Sequence, residues 1–465
     1  MIRVRGSHPY LVHMRHLLVG ASVFVLFGIA NAQGPCLDYT GFIASGGLDL
    51  WGIAVGQLND DTLLDMAVSN HLTSDVSLFF GNGDGTFQPA LTLDVDTFPT
   101  DIVAADLNGD DRADLVTAHA GQVDILLNLG GGSFAAPVAV PIPLGETWTL
   151  LARDLDGDTF VDLLVPHGAG GGGLAVLLGN GDGTFQPAVN HPTDVTATSL
   201  DLADLNEDGH LDVLYTHLAG FGEVDHFWSV LWGTGPGTFG TRTHVPHPHT
   251  SIFASTFDLN GDGHADVVVS DSYPDPLALC MGDGSGSFAV PIAMQAGAGP
   301  SFVRFVDMDL DGHKDLLVAD YYGNAMHVLP GDGAGQFGAA VSCSATVDPI
   351  DFAVGDFNGD ALPDIVIPAS IGAYVGVILN CVVAGVPEYD GAGLRVWPNP
   401  TTDAVTVAGL HPGDAVEVFT STGQRAAVRA VGEGATVSLT GLAAGVYALR
   451  ATVHGVVLHA RVVVR

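Results

Sequence analysis

One acidic nine-residue pattern, Asp-x-[Asp/Asn]-x-Asp-x-x-x-Asp, recurs along the middle of the chain and supplies the residues best suited to chemistry. It begins at Asp106, Asp154, Asp204, Asp258, Asp307 and Asp356, and in a degenerate copy at Gln57. Oxygens at positions 1, 3, 5 and 9 can converge on one ion, with a main-chain carbonyl added at position 7. The candidate ligands are Asn59, Asp61 and Asp65 in the first copy, then Asp106, Asn108, Asp110 and Asp114 in the second. The third copy offers Asp154, Asp156, Asp158 and Asp162, and the fourth Asp204, Asn206, Asp208 and Asp212. The last three offer Asp258, Asn260, Asp262 and Asp266; Asp307, Asp309, Asp311 and Asp315; and Asp356, Asn358, Asp360 and Asp364. Several hard anionic oxygens, with glycine at the bend, suit Ca2+. Gln57 leaves the first copy short of a ligand, so that site is expected to be weak or empty. A single copy could be only an Asx turn at a hairpin tip. Seven copies in register favour a metal.

The flanks decide what positions these loops. Asp266 runs into Val267-Val268-Val269, Asp315 into Leu316-Leu317-Val318 and Asp364 into Ile365-Val366-Ile367, which are strand signals. A helix-flanked calcium loop is excluded on that ground, and no Glu stands at position 12. The copies are spaced 49, 48, 50, 54, 49 and 49 residues apart. A second landmark, Gly-x-Gly-x-Phe or a near relative, places Phe87, Phe134, Phe185, Phe239, Phe288 and Phe337 in phase with them. Each unit reads as four short strands; in the sixth these are Phe302–Val306, Leu316–Ala319, Ala325–Leu329 and Gln336–Val341. Four strands per unit of about 50 residues predict an all-β fold, a seven-bladed β-propeller. The seventh unit lacks its last strand. Cys36 to Phe42 is expected to supply it and close the ring, since Phe42 lies 45 residues before Phe87.

Both landmarks together resemble the FG-GAP/VCBS repeat family, the propeller also found at the head of integrin α subunits. The resemblance spans about 350 residues. It implies that the acidic loops join the first and second strands of each blade on one face. It also implies that ligands meet the opposite face, built from the 2–3 and 4–1 loops.

Charge agrees with a cation-binding domain. The chain carries 52 Asp and Glu against 14 Lys and Arg, a formal charge of −38. Residues 33–387 hold 46 of the acids and only five of the bases. Such a surface repels phosphate backbones and anionic lipid, so nucleic acid and membrane surfaces are poor partners.

The termini carry export signals. Arg3, Arg5 and Arg15 precede an apolar run from Leu17 to Ile29 and then Ala30-Asn31-Ala32, the pattern of a signal peptide over residues 1–32. The run is too short for a comfortable span, so no integral membrane segment is expected in the mature protein. The propeller is assigned to 33–386, a linker or processing region to 387–393, and a small C-terminal β-sandwich to 394–465. Val396-Trp397-Pro398-Asn399-Pro400-Thr401, Ser421-Thr422-Gly423-Gln424, Gly445-Val446-Tyr447 and the terminal Arg461-Val462-Val463-Val464-Arg465 resemble a type IX secretion sorting domain. Trp397 stands where Tyr or Phe is commoner. The resemblance implies recognition by the type IX machinery and delivery through the outer membrane of a Gram-negative bacterium to the cell surface.

No HExxH, GxSxG, CxxC pair or P-loop is present, so a binding or adhesion module for extracellular carbohydrate or protein is expected rather than an enzyme. The alternative is a lyase-like polysaccharide-degrading enzyme on a calcium propeller; five bases serve such a site poorly. His71, His119, His167 and His217 fall just past the acidic loops and read as solvated 2–3 loop residues, the alternative being a transition-metal or ligand site on the upper face. Trp228, at the end of the long Leu218–Trp228 connection, and His247, in a 4–1 connection, are candidates for a ligand face. Aligning the repeats sets Cys36 beside Cys381 and predicts a disulfide across the break in the last blade; pairing of Cys280 with Cys343 stays open.

Overall fold

The computed structural model describes residues 37–217, 226–271 and 276–380, and in the C-terminal part 396–397, 404–407, 415–420, 425–431, 436–443, 445–453 and 456–464. It is nearly all β. Between residues 37 and 380, seven four-stranded antiparallel sheets follow one another. The first runs Leu50–Gly56, Asp65–Asn70, Asp75–Phe79 and Leu91–Asp94 in that order. Five more repeat the order, beginning at Asp101, Leu151, Ala197, Ser251 and Pro300. The last combines Ala353–Gly355, Asp364–Pro368 and Tyr374–Asn380 with Leu37–Ala44, which pairs antiparallel with Tyr374–Asn380. The N-terminal strand therefore completes the last sheet, as the position of Phe42 predicts. Cys36 and Cys381 lie outside the described residues; their neighbours Leu37 and Asn380 face each other in the register. Cys280 and Cys343 are both free thiols.

Why the second strands are buried throughout, polar ends included, follows from packing. Asp114–His119, Asp162–His167 and Asp266–Asp271 are buried at every residue, because each sheet is covered on both faces. Outer strands such as Leu91–Asp94 and Val138–Pro141 are mostly exposed. Each seam between neighbouring sheets has its own core. Val116, Val123 and Ile125 of the second sheet pack with Leu163, Val165 and Leu177 of the third. Leu50, Val68 and Phe79 of the first pack with Val366, Val375 and Val377 of the last. The series thus returns on itself, an arrangement consistent with a β-propeller.

One strand boundary differs from expectation. In the sixth sheet the fourth strand is Val341–Ser344, not Gln336–Val341. Phe337 instead forms an isolated bridge to Gly331, and Phe87, Phe185 and Phe288 do the same to Gly81, Gly179 and Gly282. The Gly-x-Phe landmark therefore closes the turn and leaves strand pairing to resume at Val341↔Val328.

The C-terminal strands form two further sheets. Val396–Trp397, Ala404–Val407 and Thr436–Ser438 make one; Arg425–Ala430, Ala415–Thr420, Gly445–Val453 and Val456–Val464 make the other. Val405 and Val437 of the first share a core with Val416, Val418, Leu449 and Val464 of the second, which makes a small sandwich. No helix among the described residues is long and apolar enough to cross a membrane.

Gly52 shows how tight the seams are. A Cβ there would lie 2.6 Å from Asp101 Oδ1 and 2.9 Å from the Ile102 backbone nitrogen of the next sheet. Gly52→Ala must push the first two sheets apart and is expected to cost about 1–3 kcal/mol. A urea midpoint equal to that of the unaltered protein would contradict this seam.

Candidate metal centres

Each acidic loop is folded by its own side chains. In the fifth, Asp258 accepts from the Gly261 and Gly263 nitrogens at 2.8 and 2.9 Å, Asn260 from Asp262 at 2.8 Å and Asp262 from His264 at 2.9 Å. These Asx-type bonds hold the loop in a tight coil. Gly261 takes left-handed backbone, φ +73°, at the place where Glu207 and Leu310 of other loops do the same at 58°.

The ninth residue does something the spacing alone did not reveal. Asp266 is fully buried; one oxygen accepts from Leu259 N at 2.9 Å and the other from Gly282 N at 2.8 Å. The same pair of bonds recurs in every sheet. Asp65 binds Leu58 and Gly81, Asp114 binds Leu107 and Asn128, and Asp162 binds Leu155 and Gly179. Asp212 binds Leu205 and Gly233, Asp315 binds Met308 and Gly331, and Asp364 binds Phe357 and Asn380. One carboxylate thus ties the second loop residue to the end of the third strand.

That second residue also reaches the neighbouring sheet. The Phe357, Leu107, Leu155 and Leu205 carbonyls accept from Gly85, Gly183, Gly237 and Gly286 of the following sheets at 2.9–3.1 Å. The Asn128 and Asn380 side-chain amides do likewise to Leu58 and Met308.

Could the loops hold Ca2+? Oxygens bound to one Ca2+ at about 2.4 Å cannot lie more than about 4.8 Å apart. In the third and sixth loops, carboxylate oxygens of Asp154, Asp156 and Asp162, and of Asp307, Asp309 and Asp315, all lie within 4.8 Å of one another. Positions 1, 3 and 9 therefore converge in the two loops that carry Asp at position 3. At position 5, Asp158 and Asp311 are turned to accept from Phe160 and His313 at 2.8 Å. The first loop, lacking an aspartate at position 57, compensates by bonding Asn59 N to Asp65 at 3.1 Å. Burial raises the pKa of the ninth aspartates, and the neighbouring loop carboxylates add to the rise against the backbone donors. Asp315 reaches about 6 and Asp364 about 7, from a usual 3.8. This donor set fits a hard divalent cation.

The residues expected on a ligand face turn out differently. Trp228 is fully buried and packs edge-on against Phe288 at 4.8 Å, in the core between the fourth and fifth sheets. Its strand begins at Phe227, so the connection ends at His226, two residues earlier than expected, and residues 218–225 lie outside the described part. His247 is buried too, with Nε2 2.7 Å from Asp271 Oδ1. Neither side chain can meet a ligand in this arrangement. His119, His167 and His217 are likewise not solvated: each is the buried last residue of a second strand. His119 Nδ1 bonds the Thr97 carbonyl at 3.2 Å, and burial holds its imidazole below the usual 6.5. The signal missed was positional. Asn70, His119, His167, His217, Asp271 and Asp320 occupy one equivalent place, and there His119 bonds the 4–1 loop at Thr97, Asp271 at His247 and Asp320 at Ala298 and Gly299.

With the geometry in place, comparison with known proteins is direct. The FG-GAP-like repeat family matches residues 57–117, 106–165, 154–215, 258–318 and 307–367, more than half of the chain. The chain belongs to that family. Each match starts at the first position of an acidic loop and ends in the strand after the next loop. No curated protein is significantly similar in sequence. Among solved structures, BBS1N in complex with ARL6DN aligns with a TM-score of 0.51 at 11% identity, over 76% of this chain and 97% of that one. That likeness concerns the fold alone. A structure of an Agrocybe aegerita lectin, described for recognition of non-reducing terminal N-acetylglucosamine, aligns with a TM-score of 0.45 at 19% identity, over 68% and 85%.

The two roles within a loop should separate on mutation. Asp364→Ala orphans two buried N–H groups and is expected to cost about 2–5 kcal/mol even in chelator. Asp360→Ala in chelator should stay within about 1 kcal/mol. Equal losses in chelator, read from urea midpoints, would refute the distinction.

Proposed function

We propose that this chain is a seven-bladed propeller that holds calcium in its acidic loops. It acts outside the cell as a binding or adhesion module for a carbohydrate or a protein. The observation that carries the calcium reading is the convergence of three carboxylates within 4.8 Å in the third and sixth loops, on a framework repeated in every sheet. Ring closure between the first and last sheets supports seven blades. The basic and apolar N-terminal segment supports export. The C-terminal sandwich, with its sorting-type motifs, supports passage to the surface by the type IX route.

Calcium would neutralise carboxylates that burial otherwise makes costly. The aspartates with raised values, Asp315 near 6 and Asp364 near 7, lie above the 3.8 of an unfolded chain. Their charge therefore costs stability in full above about pH 7, and the cost fades as pH falls. Adding calcium should raise the melting temperature most above pH 7, and the gain should shrink through pH 6 as protons compete. Metal analysis of the protein should count about six ions per chain, one for each complete loop. Identical melting in calcium and in chelator would sink the calcium reading.

Export is tested separately. A chain ending at Val386 should fold and melt as the propeller does but stay in the periplasm. Normal surface display of that chain would remove the sorting role.

A further inference from the structure

Phe98 sits where the chain enters the first strand of the second sheet, eight residues before its acidic loop. The equivalent residues of the first and last sheets are Asp49 and Asp348. All three adopt left-handed backbone, with φ of 61°, 59° and 50° for Asp49, Phe98 and Asp348. Aspartate tolerates this region because its short side chain can bond locally; phenylalanine gains nothing there and carries strain on the order of 1 kcal/mol. The fold does not recover that cost, because the Phe98 side chain is not in the core: the residue is 52% exposed.

Around it lies a built surface. His71 meets the Phe98 ring at 5.4 Å and stacks on Trp51 at 4.3 Å and 13°, and Trp51 stacks in turn on Trp148. Leu72, 59% exposed, is tied to Leu48, 50% exposed, by a backbone bond of 3.1 Å. Three exposed apolar side chains thus rest beside a rigid stack of rings. The surrounding charge is one-sided. Asp75 and Asp94 face each other directly across two strands, a like-charge pair that destabilises a sheet, and Asp96 is exposed nearby. The only Lys or Arg between residues 37 and 152 is Arg112, which pairs with Asp60 and Asp110 at the acidic-loop end of the sheets.

We propose that the Phe98–Leu72–Leu48 patch is a docking surface for a peptide segment of a partner protein that presents a bulky apolar side chain flanked by Lys or Arg. The apolar side chain covers the exposed leucines and Phe98, and the flanking cations relieve Asp75, Asp94 and Asp96. Both local costs, the strained phenylalanine and the facing aspartates, then have a use. The proposal rests on the binding-module reading and narrows it to one surface and one partner chemistry.

The test uses the full chain and a fluorescent probe peptide of two tryptophans and a leucine set between lysines, with a matched peptide carrying glutamate for lysine. The basic probe should bind, weaken as salt is raised, and exceed the acidic one by at least about tenfold. Phe98→Asn suits left-handed backbone and leaves the charge unchanged, so it should keep or raise the melting temperature while weakening the probe about tenfold or more. Val290→Asp, at a site 85% exposed in the fifth sheet, should not weaken it. Equal binding of both peptides, or none, overturns the proposal. Binding that Phe98→Asn leaves intact overturns this surface while sparing the binding-module reading. Neutral oligosaccharides captured by the unaltered protein and lost in Phe98→Asn, or a dimer that Phe98→Asn dissociates, would assign the patch to sugar or to a second copy and overturn it equally.

Discussion

The peptide at the second position of the acidic loop is used twice in six of the seven loops, and the ring depends on that double use. Its N–H donates to the buried ninth aspartate of its own sheet, as Leu107 does to Asp114. Its carbonyl accepts from the turn of the following sheet, as Leu107 does from Gly183. Loop shape and sheet-to-sheet register are therefore one problem. A cation held by the loop coil, as proposed, would fix the same peptide and so couple its binding to the ring geometry. A carboxylate buried with two backbone donors is satisfied in hydrogen bonds, yet burial raises the pKa of Asp364 to about 7 and the other loop carboxylates add to the rise.

A second set of carboxylates does similar work on the inner strands. Asp351 accepts from Ile53 across the seam between last and first sheets, Asp101 from Leu150 across the second seam, and Asp201 from Thr256 across the fourth. Burial lifts Asp101 to about 6 and Asp351 to about 7, with Arg304 at 3.8 Å from Asp351 opposing the rise. Replacing such groups by apolar ones could stabilise the fold, but hydrophobic seams alone let neighbouring sheets slide. The directional bonds choose one register. Part of the acidity of the chain is therefore structural, not ligand-binding.

What the sequence disclosed follows the same division. Two landmarks in phase were enough to give the repeat and the borrowed strand Leu37–Ala44, because those depend on local turn chemistry and on counting, but they set the fourth strand of the sixth sheet at Gln336–Val341 where it is Val341–Ser344. The direction of a side chain was not legible. Asp114 and Asp110 carry the same oxygens in the same motif, yet Asp114 is buried on the Leu107 and Asn128 nitrogens while Asp110 accepts from Arg112 in its own loop. His119, His167 and His217 looked like loop residues because the strand they end has no partner pattern of its own. Each packs against a residue outside the motif: the Thr97 carbonyl for His119, Asn190 for His167 and the Phe227 ring for His217. Trp228 failed for a related reason: a tryptophan after a long connection looks displayed until the neighbouring sheet contributes Phe288.

The borrowed strand sets the order in which these interactions can form. Thr40 bonds the Val377 carbonyl across 337 residues of sequence, whereas every other sheet is assembled from a single stretch of about 50. Local sheets can therefore form first, each latched by its ninth aspartate, while the long closure waits on the entropy of bringing distant ends together. Until then the first and last sheets each expose one apolar face, the side chains of Leu50 and Val68 on one and Val366 and Val377 on the other. Asn380 resolves this in one step. Its backbone N–H joins Asp364, its side chain reaches Met308, and its strand receives Leu37, so the final latch, the seam to the preceding sheet and the ring closure meet at a single residue.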